Sequence, residues 1–186
     1  MLKNYTYFGI QNDRTKNGDN YLVQHNALNV RQSGSPVSLL TLQLQQDLRL
    51  GILNWQNVLT LQKSSKDDIL PVPLFNAYSN LFIRFRIARV LDVDLGVDGR
   101  YFTDYYAPEY IPGIGAFGIQ ETEASRTKIG NYPVLDAYAN FQLQHTRFFV
   151  MFSHVNSSDG GDYFFTPHYP LNQRIFRFGI SWNFFN

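Results

Sequence analysis

The chain has 186 residues, 16 lysines and arginines against 15 aspartates and glutamates, and a formal net charge of +1, so no charge field argues for nucleic acid or for an acidic ligand. Cysteine is absent, which suits an envelope protein without disulfides as well as many cytosolic ones, and no run of about 18 apolar residues could form a transmembrane helix. Mean hydropathy is −0.26 although 44% of the residues are hydrophobic, an average that conceals a lipid-facing band when apolar and polar residues alternate.

The amino terminus, Met1-Leu2-Lys3-Asn4-Tyr5-Thr6-Tyr7-Phe8, holds no apolar core segment and no small-residue cleavage site, so it is not a signal peptide. Residues 5–10 read as a strand already under way, and the expectation is that the chain is the carboxy-terminal piece of a longer protein. A first strand is predicted near 3–11. The stretch 21–29 is open between a loop and an extra hairpin arm. Over 37–50, Leu40, Leu42, Leu44, Leu48 and Leu50 alternate with Thr41, Gln43, Gln45, Asp47 and Arg49, broken only by Gln46. After Gly51-Ile52 the phase flips, and Leu53, Trp55, Leu59 and Leu61 oppose Asn54, Gln56, Thr60 and Gln62 across 53–63. Leu81, Ile83, Phe85 and Ile87 alternate with Asn80, Phe82, Arg84 and Arg86 in 77–87. In 91–103, Leu91, Val93, Leu95, Val97 and Tyr101 alternate with Asp92, Asp94, Gly96, Asp98 and Arg100. Segments 134–144 and 147–155 follow more loosely. The last, 174–185, puts Phe176, Phe178, Ile180, Trp182 and Phe184 on one side and Arg177, Gly179, Ser181 and Asn183 on the other. A period of two is the signature of strands whose faces differ.

Alternation alone also suits a soluble sandwich. Two features favour a membrane. The segments run to about ten residues, the length a tilted strand needs to cross a bilayer, against about five or six for a soluble strand. Connections alternate between tight turns near Gly51, Arg89 and His145 and long links at 63–76, 103–133 and 156–173, the short-turn and long-loop asymmetry of an outer-membrane barrel. The fold expected is all-β: an antiparallel transmembrane β-barrel region of about eight strands over 1–186. Leu42, Leu44, Leu48, Leu59, Leu61, Ile83, Val93, Leu95, Phe176 and Phe178 are placed toward lipid. Gln43, Gln45, Gln56, Arg84, Arg86, Asp92, Asp94, Asp98, Arg100 and Arg177 are placed toward a lumen. Trp55, Tyr101, Trp182, Phe184 and Phe185 are candidates for the aromatic girdle or for the closing strand's insertion signal.

With a turn at Ala88-Arg89-Val90, Arg86 falls opposite Asp92 and Arg84 opposite Asp94. This is a cross-strand charge ladder, and inside a lumen it would also shape the field met by a solute. The same arginines hold those acids ionised, which argues against a glycoside-hydrolysing carboxylate pair. His25, His145, His154 and His168 lack metal-ligand spacing and read as polar rim residues. Asp159-Gly160-Gly161-Asp162 lacks the oxygen ligands of a calcium loop and reads as a turn. The glycines of 112–118 follow no strand-to-helix context, so this stretch reads as a loop, not a phosphate cradle. The tyrosines of 105–110 suit either a girdle or a platform for stacking sugars. No nucleophile elbow or zinc cluster appears, and no enzyme activity, cofactor or metal is expected.

Several stretches together carry a resemblance: Gln62-Lys63-Ser64-Ser65-Lys66-Asp67-Asp68-Ile69-Leu70-Pro71, then Asp98-Gly99-Arg100-Tyr101-Phe102-Thr103-Asp104-Tyr105-Tyr106-Ala107-Pro108-Glu109-Tyr110. Gly130-Asn131-Tyr132-Pro133, Thr146-Arg147-Phe148-Phe149-Val150, Tyr163-Phe164, Pro167-His168-Tyr169-Pro170 and Arg177-Phe178-Gly179-Ile180-Ser181-Trp182 complete it. In order and spacing the chain resembles the final portion of the putative porin family of the Bacteroidota. Family members look much longer, with a signal peptide and further strands upstream. The resemblance implies a bacterial outer-membrane location, small hydrophilic solutes crossing passively, and membrane lipid and the barrel-assembly machinery as partners. It supplies no catalytic residue. Two rival readings remain: a non-conducting outer-membrane barrel for surface binding or anchoring, and a soluble lipocalin-like carrier, which the charged inner face opposes.

Overall fold

The computed structural model describes residues 2–3, 5–16, 22–121, 126–158 and 163–184, and among these the regular structure is all strand. In chain order the strands are β1 (Thr6–Lys16), β2 (Leu22–Gln32), β3 (Leu39–Leu50), β4 (Leu53–Ser64), β5 (Phe75–Ile87), β6 (Leu91–Phe102), β7 (Glu109–Ile111), β8 (Ala116–Gln120), β9 (Val134–Leu143), β10 (Thr146–Ser153), β11 (Phe164–Thr166), β12 (Tyr169–Pro170) and β13 (Ile175–Trp182). Seven of them form one antiparallel meander in the order β13-β10-β9-β6-β5-β4-β3.

The sheet's tight turns all lie at one end. Leu50 pairs with Leu53 across Gly51 and Ile52, and Gly51 has φ +62°, a conformation that glycine adopts without a Cβ penalty. Ile87 pairs with Leu91 across 88–90, where Ala88 and Arg89 take the left-handed conformation. Leu143 pairs with Thr146 across Gln144 and His145. The opposite end carries the connections 65–74, 103–133 and 154–174 together with the approach to β3.

Here the structure corrects the expected strand order. The first predicted strand, placed near 3–11, is β1, and it does not belong to the large sheet. It pairs antiparallel with β2 from Thr6↔Gln32 to Lys16↔Leu22, so the stretch left open at 21–29 forms, from Leu22 onward, one arm of a hairpin. On its other side β1 runs parallel to β8 at Gly9↔Ile119 and Ile10↔Gln120, giving a second sheet, β2-β1-β8-β7. Because β3 starts at the long-loop end, the hairpin just before it is delivered there. Leu2 and Val37 fix it with reciprocal backbone bonds of 2.7 and 3.0 Å. Glycines permit the parallel contact: a Cβ at Gly9 would lie 2.6 Å from the Ile119 carbonyl oxygen, and one at Gly118 would lie 2.7 Å from that of Phe8. The stretch 112–118, expected as a loop, is instead the turn between β7 and β8 followed by the first residues of β8, built into this sheet.

With β1 engaged elsewhere, the large sheet does not close into a ring of eight. Among the described residues β3 and β13 are its two edges, each hydrogen-bonded to a strand on one side only. Its register makes the two faces unlike. Leu48, Trp55, Leu81, Val97 and Ala137 lie on one side, as do Leu50, Leu53, Ile83, Leu95, Ala139, Val150 and Phe178. Much of this face is bare: Leu40 and Phe178 are each 74% exposed. Among the described residues fully buried side chains are few: Val93, placed toward lipid, is instead covered within this face at 1% exposure, and most others gather at the loop end, with Val37, Ala107, Ile111, Ile129 and Pro167 among them.

Candidate functional site: the polar face of the seven-stranded sheet

Antiparallel pairing places directly opposed residues on the same side. One row therefore runs Arg86, Asp92, Gln142, Arg147, Ser181, and the next Arg84, Asp94, Asn140, Phe149, Gly179. A third runs Arg49, Asn54, Phe82, Gly96, Tyr138, Met151, Arg177, and a fourth Asp47, Gln56, Asn80, Asp98, Asp136. Gln45 shares a row with Arg100, and Gln43 lies one step further toward the loops. The register thus gathers Gln43, Gln45, Gln56, Arg84, Arg86, Asp92, Asp94, Asp98, Arg100 and Arg177 onto one face.

Charge on this face differs from row to row. Near the tight turns, Arg84 grips Asp94 with two bonds of 2.7 Å, Nε to Oδ1 and the terminal nitrogen to Oδ2. Arg86 holds Asp92 in the same fork, with bonds of 2.5 and 3.0 Å. Forked guanidinium–carboxylate pairs fix orientation as well as charge, so the ladder expected from the turn at 88–90 is formed. Beside it Arg147 makes one long bond of 3.4 Å to Asn140 Oδ1 and has no ion pair among the described residues. These side chains, with Gln142, border a hollow of 490 Å³. In the fourth row the balance reverses, where Asp98 and Asp136 stand directly opposite one another, and Arg100 follows in the next row. The Asp136 carboxylate accepts the His154 backbone N–H at 2.7 Å, while Asp98, 9% exposed, accepts no hydrogen bond from a described residue.

Sequence reasoning missed the aromatic rings of this face. Tyr138 lies across Gly96 and donates its hydroxyl to Asn80 Oδ1 at 2.8 Å. Phe149 lies across Gly179. Arg84 sits over the Phe82 ring at 5.2 Å and Arg100 over Tyr78 at 5.9 Å. The available signal was a bulky aromatic paired by register with glycine on the neighbouring strand, a known way to cover glycine in sheets.

On the opposite, apolar face stand Trp55, Tyr101 and Trp182, the last stacked on Phe184 at 5.3 Å; Phe185 lies outside the described residues. A polar row crosses this face too: Gln46, Asn57 and Ser79 are successive cross-strand partners. Trp55 donates to the Ser79 hydroxyl at 2.9 Å, and that hydroxyl donates to Asn57 Oδ1 at 2.8 Å. The single break at Gln46 was legible in sequence. Its continuation through Asn57 and Ser79 needed the register.

A two-faced sheet of strands this long, turned tightly at one end and looped at the other, is the arrangement the comparison with known families meets. The model of the family described as "Putative porin" matches residues 1–186. The chain belongs to that family. No curated protein and no solved structure matches it.

In this porin-family chain the loop end is organised by polar as well as apolar contacts. The Gln120 amide donates to the carbonyls of Ala107 and Thr127 at 2.7 and 3.0 Å and accepts the Thr127 N–H at 2.7 Å. Lys128 donates to Asp104 at 2.9 Å, which holds that carboxyl below the usual carboxylate range and raises the ammonium. Burial pushes the Glu109 carboxyl up, and His168, 3.7 Å away, pulls it back. Tyr132 stacks on Tyr163 at 3.8 Å, and burial together with the Tyr163 hydroxyl pushes its phenol up to about 12. His154, expected at a polar rim, is instead buried, bonded to the Asn172 carbonyl at 2.9 Å and to the Tyr132 hydroxyl at 3.0 Å. The turn expected at 159–162 lies outside the described residues. Tyr105 packs edge-on against Phe102, and Tyr110 packs on Phe117 and Tyr169, so these two tyrosines serve the loop packing. Tyr106 lies under Arg126 and Lys128. Among the described residues no three His, Cys, Asp or Glu side chains are grouped to hold a metal ion.

Proposed function

We propose that the chain is the wall of an outer-membrane porin through which small hydrophilic solutes diffuse passively. The observation carrying this reading is the division of one seven-stranded sheet into a bare apolar face and a polar, mixed-charge face. Soluble monomers rarely expose contiguous apolar patches beyond a few hundred Å². Lipid is the medium in which such a face is stable, and water in a lumen is the medium for the other. Residues 1–186 act as a single barrel region, closed by strands that pair with the edges β3 and β13, since unpaired ladder groups are not tolerated in hydrocarbon. The tight turns face the periplasm and the long loops the exterior. Trp182 and Phe184 belong to the strand that the assembly machinery recognises, and Trp55 and Tyr101 sit in the lipid-facing band. With arginines and aspartates both present, selectivity between ion signs is modest.

The test is single-channel recording in planar bilayers on protein extracted from its own membrane. Stepwise currents with weak preference between potassium and chloride are expected. Insertion as a folded barrel without any current would replace the porin by a binding or anchoring barrel.

A further inference from the structure

On a strand most side chains stand roughly perpendicular to the sheet. Two rings of the polar face lie down instead, each over a glycine. A Cβ at Gly96 would fall 2.7 Å from the Tyr138 hydroxyl oxygen and 2.8 Å from its Cζ, and one at Gly179 would fall against the ring edge of Phe149. Tyr138 leans from β9 toward β6 and is tied at its tip to Asn80 of β5. Phe149 leans from β10 the other way, toward β13. Where they part, a cleft of 340 Å³ opens, bordered by Tyr78, Asn140, Arg147 and Asp98 as well as the two rings. That volume lies at the small end of the about 300–1,000 Å³ typical of small-molecule sites.

The polar groups of the cleft have capacity to spare. Asp98 is buried to all but 9%, accepts no hydrogen bond from a described residue and faces a second carboxylate, Asp136, yet it lines the cleft. Its oxygens are not shut off from solvent, so a ligand hydroxyl that donates there takes the place of water on a carboxylate with a free acceptor position. Arg147 spends one guanidinium nitrogen on the 3.4 Å bond to Asn140 and offers its other donors to the cleft. Acceptor and donors therefore flank flat aromatic surface. A free anion meets Asp98, with Asp136 behind it, and a free cation meets Arg147 and the Arg100 charge beside Asp98. A neutral ring bearing hydroxyls meets neither penalty, because its hydroxyls both donate and accept and its C–H face packs on the rings.

We infer that this cleft is a binding subsite for a neutral saccharide of one or two rings, held between Tyr138 and Phe149 with hydroxyls on Asp98, Asn140 and Arg147. The inference rests on the reading of the polar face as the wall of a water-filled lumen. It gives that lumen a preferred solute class in place of sieving by size alone.

Binding is measured by titrating glucose and maltose into the folded protein in detergent with saturation-transfer NMR, alongside bilayer recording with the same sugars. Millimolar binding of at least one sugar is expected. Asp98→Asn and Phe149→Leu should each weaken it about tenfold or more, which is about 1.4 kcal/mol, whereas Gln45→Ala, on the same face outside the cleft, leaves it unchanged. A pore that conducts while neither sugar binds overturns the subsite and leaves the porin standing. Sugar binding that is lost in the two variants, without any current, supports the subsite and overturns the porin. Binding that is undiminished in both variants places the sugar elsewhere and overturns the subsite. Tighter binding of lysine or inorganic phosphate than of either sugar overturns the saccharide class.

Discussion

The seven-stranded sheet and the assembly at its loop end are held by different physics. In the sheet, backbone ladders and cross-strand neighbours do most of the work, and the apolar side chains on one face still point outward, bare. At the loop end, apolar side chains such as Val37 and Ile111 are buried within the protein, and the Gln120 amide makes three hydrogen bonds to backbone groups. The first region depends on its surroundings for stability; the second resembles a small soluble core. The same substitution type should therefore have opposite consequences in the two places.

The largest effect is expected on the apolar face. Leu95→Arg should destabilise the inserted protein by about 2–4 kcal/mol, the depth-dependent cost of a cation at the bilayer midplane, whereas Gln45→Arg on the polar face should be tolerated. Urea unfolding in lipid vesicles measures both. Equal costs at the two positions would break the distinction between the faces.

Overpacking comes next. Gly179→Val places a side chain where the Phe149 ring lies, and Gly118→Val meets the Phe8 carbonyl of the parallel neighbour. Each should cost about 1–3 kcal/mol, but with different readouts. The first should weaken the sheet; the second should release the β1–β2 hairpin to protease while the sheet stays folded. Gln120→Ala, which removes a buried amide from its backbone partners, should likewise cost about 1–3 kcal/mol and be confined to the loop end, as limited proteolysis would reveal.

What could be read from the sequence follows the same division. The strands from Leu39 to Trp182 that form the large sheet repeat a period of two, and the register that sets Arg84 against Asp94 follows from turn length alone. The loop end has no such period. Nothing local to Thr6–Lys16 shows that it will leave the sheet to run beside β8, because that choice depends on Gly9 and Gly118 meeting across more than a hundred residues. His154 looked like a rim residue for the same reason: its burial is created by Tyr132 and Asn172, distant in sequence. The cleft lay in between. Gly96 and Gly179 were visible as polar-face positions, but their pairing with Tyr138 and Phe149 required the strand order.

The smallest effects are those of pH, and they fall on the loops. The depressed Asp104 carboxyl contributes stability above its unfolded pKa of about 3.9, and this is lost as pH falls through the lower folded value. Its partner Lys128, raised, contributes below about 10.4, and this is lost as pH rises through the higher folded value. The tether should thus hold between these limits and loosen at both extremes. Tyr132, pushed up to about 12, favours the folded loop while its phenol is neutral; that contribution is intact below about pH 10 and fades above it. Tyrosinate absorbance of the wild type against Tyr132→Phe should show one late-titrating phenol missing from the variant.

The central claim is that neighbouring residues of one strand meet different media, and an accessibility scan along 91–98 tests it most directly. Nitroxide labels placed singly on cysteines within this stretch of β6, in protein reconstituted in lipid vesicles, report collision with oxygen in the bilayer and with a nickel chelate in water. With the buried Val93 and Asp98 and the ring-covered Gly96 left unlabelled, positions 91, 95 and 97 should be oxygen-accessible and positions 92 and 94 nickel-accessible. Uniform access to the nickel chelate along the strand, or an alternation of the opposite phase, would contradict it.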